Sequence, residues 1–388
     1  MIFFRGKGQT VKKRIILIGA IYYRNLGDAI LCYSAREMLS ERYDVSMIDI
    51  YGRTEFPEMS VTDINKCRSE FHHMVRRLRA RKILTHVGIV PYDSKKRRMF
   101  EAVKQQLETE IRKEKPVAVV FAGGALLKGV FIHSLVRIED LAASYGIPVL
   151  FNACGIESEM SSAEWKKTGD ILRAPCVRFI SVRDGYGLLR KKFPDVSIYD
   201  TYDTALCANR FFRAGSAKRG IGLGIMLSHN FGFDIQVSFW SKLIRGLTSA
   251  HYKWYLFTNG APSDQGFAAY LLDRNQEDMN KLLPCPETPE DLYAAISGFE
   301  AIFSMRLHSH ILAYSSGIPC AAVSWDKKID EFYEKIGKPE NCFTFSSSAE
   351  DIISCLAGSM NDKDFFNGKA EREKTVQLNM DVLMEVIG

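Results

Sequence analysis

The stretch AIFSMRLHSHILAYSSGIPCAAVSWDKK, Ala301–Lys328, reads as a strand, a helix and a second strand in immediate succession. Ala301–Met305 is a short apolar run of the kind a buried strand shows. Leu307–Ser315 has helical spacing, Gly317-Ile318-Pro319 stops it, and Pro319–Val323 is apolar again. Strands joined through a helix run parallel. The same alternation extends upstream, with strands expected at Ile221–Leu227 and Lys253–Thr258 and helices at Phe239–Ser249 and Asp264–Arg274. Thr288 before Pro289 marks a further helix start. Nearer the N-terminus, strands are expected at Arg14–Gly19, Val45–Ile50, Pro116–Phe121, Pro148–Ala153 and Arg178–Val182. Helices are expected at Ala29–Arg42, Glu70–Ala80, Arg97–Lys113 and His133–Tyr145. A loop-like, basic break around 208–219 divides the series. The expectation is an α/β protein of two Rossmann-like, doubly wound domains facing a cleft, spanning 1–210 and 211–360, with a closing helix in 361–388.

Composition excludes several classes. With 388 residues, 46% hydrophobic and 25% charged, the chain is neither disordered nor fibrous. Nine cysteines form no CxxC or CxxH pair, so neither a disulfide frame nor a zinc site is expected, and reduced thiols are. Only Ile2, Phe3 and Phe4 separate Met1 from the first charge, and no apolar stretch has the length of a membrane span. A cytoplasmic protein without a signal peptide is expected. The net charge of +6 is uneven. Nine basic residues and one acid between Arg76 and Arg98 make that segment +8, leaving −2 for the rest. Such a segment is either a solvated helical surface or a peripheral contact for an anionic membrane; no nucleic-acid motif accompanies it.

In an open α/β sheet, ligands bind at the carboxyl ends of the strands. Asn25, Gly27 and Asp28 follow the first strand; Asp28 either caps a helix or faces a substrate hydroxyl. Gly123 and Gly124 end another strand, as a tight turn or as uncovered N–H groups for an anion or sugar. Arg183 closes a third strand, suited either to gripping a carboxylate or phosphate or to pairing with Asp184. Arg306 and His308 stand at a helix N-terminus, where the dipole disfavours cations unless an anion lies among them. His310 lies about 200° around that helix from His308 and is expected to be structural.

These fragments together resemble the polysaccharide pyruvyl transferase family. The resemblance rests on the N-x-G-D element (Asn25, Gly27, Asp28), the paired glycines (Gly123, Gly124), the V-R-D strand end (Val182–Asp184), the R-L-H helix start (Arg306, Leu307, His308), and the following G-x-P and aromatic-D-x-K ending at Lys328. It runs from about residue 14 to 337. Gly185 and Gly187 stand where the family often has an acid and a serine, and Trp325 stands where a tyrosine is commoner.

The resemblance implies a GT-B-like fold and transfer of the pyruvyl group of phosphoenolpyruvate to two sugar hydroxyls as a ketal, releasing phosphate. The expected partners are phosphoenolpyruvate as co-substrate and a glycan or lipid-linked saccharide acceptor, with no metal or other cofactor. His308 is expected as general acid and Asp28 as base or acceptor orienter. Arg306, Leu307, Arg183, Lys328, Asn25, Gly27, Gly123 and Gly124 are expected to bind substrate. A sugar-nucleotide glycosyltransferase of the same architecture, or a catalytically silent sugar-binding protein, are the alternatives.

Overall fold

The computed structural model describes residues 12–61, 63–86, 94–157, 159–216 and 218–388, with side chains described outside 81–97. The first domain runs β1 (Arg14–Gly19), α1 (Leu26–Leu39), β2 (Asp44–Asp49), α2 (Cys67–His86), α3 (Ser94–Lys113), β3 (Ala118–Phe121), β4 (Gly124–Leu127), α4 (Gly129–Ser144), β5 (Val149–Ile156), α5 (Ser162–Leu172), β6 (Val177–Val182), α6 (Tyr186–Lys192) and β7 (Tyr199–Asp200). The second runs β8 (Arg219–Gly224), α7 (Phe233–Ser249), β9 (Trp254–Phe257), α8 (Pro262–Arg274), α9 (Pro289–Ser297), β10 (Phe299–Ser304), α10 (Leu307–Ser315), β11 (Cys320–Val323), α11 (Lys327–Ile336), β12 (Cys342–Phe343) and α12 (Ala349–Asn361). The last helix is α13 (Lys369–Ile387).

Both sheets are parallel throughout. The first has order β2-β1-β3-β5-β6-β7, with β4 added on β5; the second has order β12-β11-β10-β8-β9. Helices cover both faces, which is why β1 reads as an unbroken apolar run: Ile15 to Ile18 are all fully buried. Strand order reverses between β1 and β3 in the first sheet and between β8 and β10 in the second. At each reversal adjacent crossovers leave in opposite directions and open a crevice at the carboxyl ends.

Several elements differ from expectation. Helix α1 begins at Leu26, so Gly27 and Asp28 lie in its first turn rather than in a loop. Gly123 and Gly124, at φ +109° and +76°, lead into the extra strand β4 instead of directly into a helix. Helix α5, starting with a Ser161–Glu164 capping box, is an element beyond those expected. Helix α2 starts in the first domain's chain but docks on the second. Cys67 and Phe71 belong to that domain's core, the Phe71 ring lies 5.4 Å from Phe233, and Arg68 pairs with Asp234 at 2.9 Å. Of the basic segment, Arg76, Arg77, Arg79 and Arg98 are exposed; its other basic side chains lie outside the described residues.

Beneath the cleft the domains are joined by one apolar core. Leu26, Ile30 and Leu31 of α1 pack with Leu292, Ile296, Leu307 and Ile311 of α9 and α10. Helix α13 returns to the first domain. Tyr43 donates to the Met384 carbonyl at 2.9 Å, and Asn379 donates to the buried Asn152 side chain at 2.8 Å.

Candidate functional site

The loops at the two reversal points meet, and His308 stands where they do. It opens α10 behind Arg306 and is 5% exposed. Its close neighbour in the first domain is Gly27: a Cβ there would lie 2.2 Å from the His308 Cβ and 2.8 Å from Nδ1. The glycine is required because the two helix starts touch. The expected approach of a ligand to Gly27 is replaced by that of a side chain.

On one side of His308, Nδ1 faces Asp28 Oδ1 at 3.8 Å. The other Asp28 oxygen accepts from the Asn25 amide at 2.8 Å, so Asn25 orients the carboxylate, and neither side chain caps α1. Gly124 faces the same carboxylate; its absent Cβ would be 3.4 Å from Asp28 Oδ1. Gly123 lies tighter still, 2.9 Å from the Asn152 carbonyl by the same construction, which with its positive φ excludes any other residue.

On the other side, Arg183 Nη1 lies 3.1 Å from His308 Nε2. The same Nε2 lies 3.6 Å from Asp203 Oδ2, so this edge of the ring faces a guanidinium and a carboxylate together, while Nδ1 faces Asp28. The same guanidinium is held by Asp203 and, through Nε at 3.1 Å, by Asp184. All three are nearly inaccessible. Burial alone would raise the Asp203 carboxyl, but Arg183 and His308 outweigh it and hold it well below the ordinary carboxylate range. Asp203 also caps the turn after β7 by accepting from Ala205 N at 2.8 Å. Arg183 is therefore an internal strut with its charge already matched, rather than a free cation awaiting a donor. The anion that the N-terminus of α10 called for is supplied by the protein's own Asp203 and Asp28.

Arg306 is likewise paired. Its guanidinium meets the buried Asp264, whose other oxygen accepts from Leu227 N at 3.0 Å, and the arginine side chain keeps 22% exposure. Lys328 pairs with Asp326 at 2.9 Å and lies 4.8 Å over the Trp325 ring; that indole donates to the Met305 carbonyl at 2.6 Å. Leu307 is 7% exposed and packs into the joint core. His310 is fully buried and hydrogen-bonded to the Tyr333 hydroxyl at 3.1 Å; burial pushes its pKa down to about 3. Gly185 is needed too: at φ +66° it starts α6, a Cβ would strike Ile156, and its N–H donates to Glu331 at 2.7 Å.

Four residues of the site carry no motif that sequence reasoning would single out. Asp203 and Asp264 are lone carboxylates. Lys128, at the start of α4, is half-buried over Phe131 at 5.4 Å; burial lowers its pKa, Asp28 and Glu157 oppose the shift, and Lys328 adds to it. His229, on the loop after β8, has its pKa lowered by burial, against Asp264 and with Arg306. Among the described residues, no group of His, Cys, Asp and Glu side chains is arranged to hold a metal ion.

Residues 25–327 match the family model described as polysaccharide pyruvyl transferase. No curated protein matches the chain. Among solved structures, the fold is similar to the UDP-GlcNAc 2-epimerase of Methanocaldococcus jannaschii, with TM-score 0.59 and 13% identity over 97% of this chain and 100% of that one. It is also similar to the UDP-GlcNAc 2-epimerase of Neisseria meningitidis, with TM-score 0.56 and 12% identity over 97% and 99%. The α,α-trehalose 6-phosphate synthase of Burkholderia multivorans gives TM-score 0.52 and 10% identity over 97% and 98%. At these identities the likeness is one of fold, the GT-B arrangement of two parallel-sheet domains.

Proposed function

The chain belongs to the polysaccharide pyruvyl transferase family, and from that premise we propose that it transfers pyruvyl from phosphoenolpyruvate to two hydroxyls of a saccharide during cell-surface or exopolysaccharide synthesis. The observation that carries the reading is His308, set between Asp28 of one domain and the Arg183–Asp203 pair.

His308, acting in its imidazolium form, gives a proton to the methylene carbon of the donor, leaving an oxocarbenium-like centre that one sugar hydroxyl attacks. Asp28 takes that hydroxyl's proton. The C–O bond to phosphate then breaks, the second hydroxyl closes the ketal, and its proton leaves with the phosphate. One hydroxyl proton thus replaces the proton spent on the methyl carbon, and the reaction balances without an external acid. An imidazolium is a general acid whose strength suits catalysis near neutral pH. Arg183 and Asp203 hold the ring in place from the edge opposite Asp28.

Arg306 and Lys328 are partly exposed cations of the second domain, and each must exchange a carboxylate partner for the donor's phosphate or carboxylate. The acceptor is proposed to be a glycan or lipid-linked saccharide. A cytoplasmic enzyme drawn to an anionic membrane face by the 76–98 segment fits such an acceptor, and no described helix is long and apolar enough to cross a membrane. Vesicle sedimentation that does not change when Arg76, Arg77, Arg97 and Arg98 become Ser would remove the membrane contact.

The deciding experiment is mass spectrometry of saccharides incubated with the protein and phosphoenolpyruvate, in which gain of one pyruvyl ketal is expected. Thermal stabilisation by a nucleoside diphosphate and none by phosphoenolpyruvate would point to a glycosyltransferase instead.

A further inference from the structure

Two loops and the first turn of α4, at the carboxyl edge of the first sheet, bring aromatic rings together. Tyr23, on the loop between β1 and α1, stacks on Tyr51, which follows β2, with ring centres 5.2 Å apart and planes 19° from parallel. Tyr51 meets Phe131, in the first turn of α4, edge-on at 5.2 Å. The Arg53 guanidinium lies 4.7 Å from the Tyr51 ring centre and 5.7 Å from that of Tyr23. Its one hydrogen bond among the described residues goes to the Tyr22 carbonyl at 2.9 Å, which leaves most of its five donors unspent.

The core beneath does not require Tyr23. Its ring is 39% exposed, while Tyr51 is packed against the buried cluster of the first domain. What Tyr23 gains from Tyr51 and Arg53 is rigidity in an exposed position. Tyr23 also lies two residues before Asn25, the residue that orients Asp28, and the Asp28 charge acts on the Tyr51 hydroxyl. The shelf therefore belongs to the same crevice as the proposed base.

A flat ring held in place beside a guanidinium has the chemistry that recognises a pyranose. One face of the sugar presents C–H groups of slight positive charge, which suit the negative face of an aromatic ring. The equatorial hydroxyls accept from guanidinium donors at its edge. Because Tyr23 is already stacked, little side-chain freedom is lost when the sugar binds. We propose that Tyr23, backed by Tyr51 and edged by Arg53, is the platform on which the acceptor saccharide stacks, presenting two hydroxyls toward Asp28 and His308. Saccharide binding at the platform stands on the geometry; only the acceptor role rests on the pyruvyl-transfer reading.

The test is saturation-transfer NMR on the full chain, without donor, using the methyl glycosides of glucose, galactose and mannose as probes. At least one glycoside is expected to receive saturation on the ring protons of one face. Tyr23→Ala should weaken that binding about tenfold, the order expected for loss of one stacked ring, and Tyr23→Trp should retain it. Arg53→Ala should weaken it as well, independently of any effect of the tyrosine substitution on folding. No transfer to any of the three glycosides, or transfer undiminished in both alanine variants, would overturn the platform. Tyr23-dependent binding without ketal formation would sink the reaction and keep the platform. Ketal formation by Tyr23→Ala at an unchanged acceptor KM would do the reverse.

Discussion

Gly27 and His308, 281 positions apart, are in such close apposition that the missing Cβ of the glycine would fall 2.2 Å from the Cβ of the histidine. The contact is between the first turns of α1 and α10, and it sets the position of the proposed proton donor relative to Asp28, one residue beyond Gly27. A methyl group there cannot be absorbed by a flexible tip, because it meets the root of the imidazole.

Gly27→Ala is therefore expected to destabilise the protein by about 1–3 kcal/mol, the usual cost of overpacking. It should also lower turnover by two orders of magnitude or so by displacing His308. Gly187→Ala is the contrast: Gly187 is exposed in α6 with nothing near its Cβ position, and should stabilise by about 0.5–1 kcal/mol. Thermal unfolding and kcat measured on both variants check the pair. Equal effects would mean that the apposition does not matter.

His308→Ala should reduce turnover by about 10²–10⁴ and leave donor-induced thermal stabilisation in place, as loss of a general acid does. His310, buried against Tyr333, should act on stability. Near-normal turnover in His308→Ala would displace the proton donor from this residue.

The buried His310 also sets a pH dependence. Its pKa is pushed down to about 3 in the folded chain, so below about pH 6.5 the unfolded chain takes up a proton that the native one refuses. Stability is unaffected by this residue above that pH. It is lost as pH falls toward 3, at about 1.4 kcal/mol per pH unit. Denaturant unfolding of His310→Gln between pH 6.5 and 4 should show a correspondingly shallower loss; an unchanged slope would mean the imidazole is solvated.

Removing Arg183 should be costly to folding, because Asp203 and Asp184 would remain buried without their partner. A loss of about 3–5 kcal/mol is expected for Arg183→Met. Asp203→Asn tests the other end: it removes the charge that Arg183 matches and loosens His308, so the pH profile of kcat should move while donor affinity changes little.

Lys335 latches the domains. Its ammonium donates to the Arg183 carbonyl at 2.8 Å, the Thr201 carbonyl at 3.0 Å and Asp200 at 2.6 Å, all across the joint. Lys335→Met should increase the radius of gyration seen by small-angle scattering and lower turnover. Scattering identical to the wild type would show that the shared core alone holds the domains together.

What the sequence determined by itself is the order of the elements. Apolar period and turn residues act over a few positions, which is why Arg14–Gly19 and Leu307–Ser315 were legible to the residue and the parallel alternation with them. The R-L-H element was legible for the same local reason, since an arginine and an imidazole at a helix start demand an anion nearby. Which anion is a different matter. Arg183 pairs with Asp203, Arg306 with Asp264 42 positions away, and His308 with Asp28 and Gly27 from the other domain. Helix α2 hides its allegiance in the same way, since Phe71 packs on Phe233 of the second domain. Partnerships of this kind depend on which loops the strand order brings to the same crevice, and that is decided only when the two sheets close on one core.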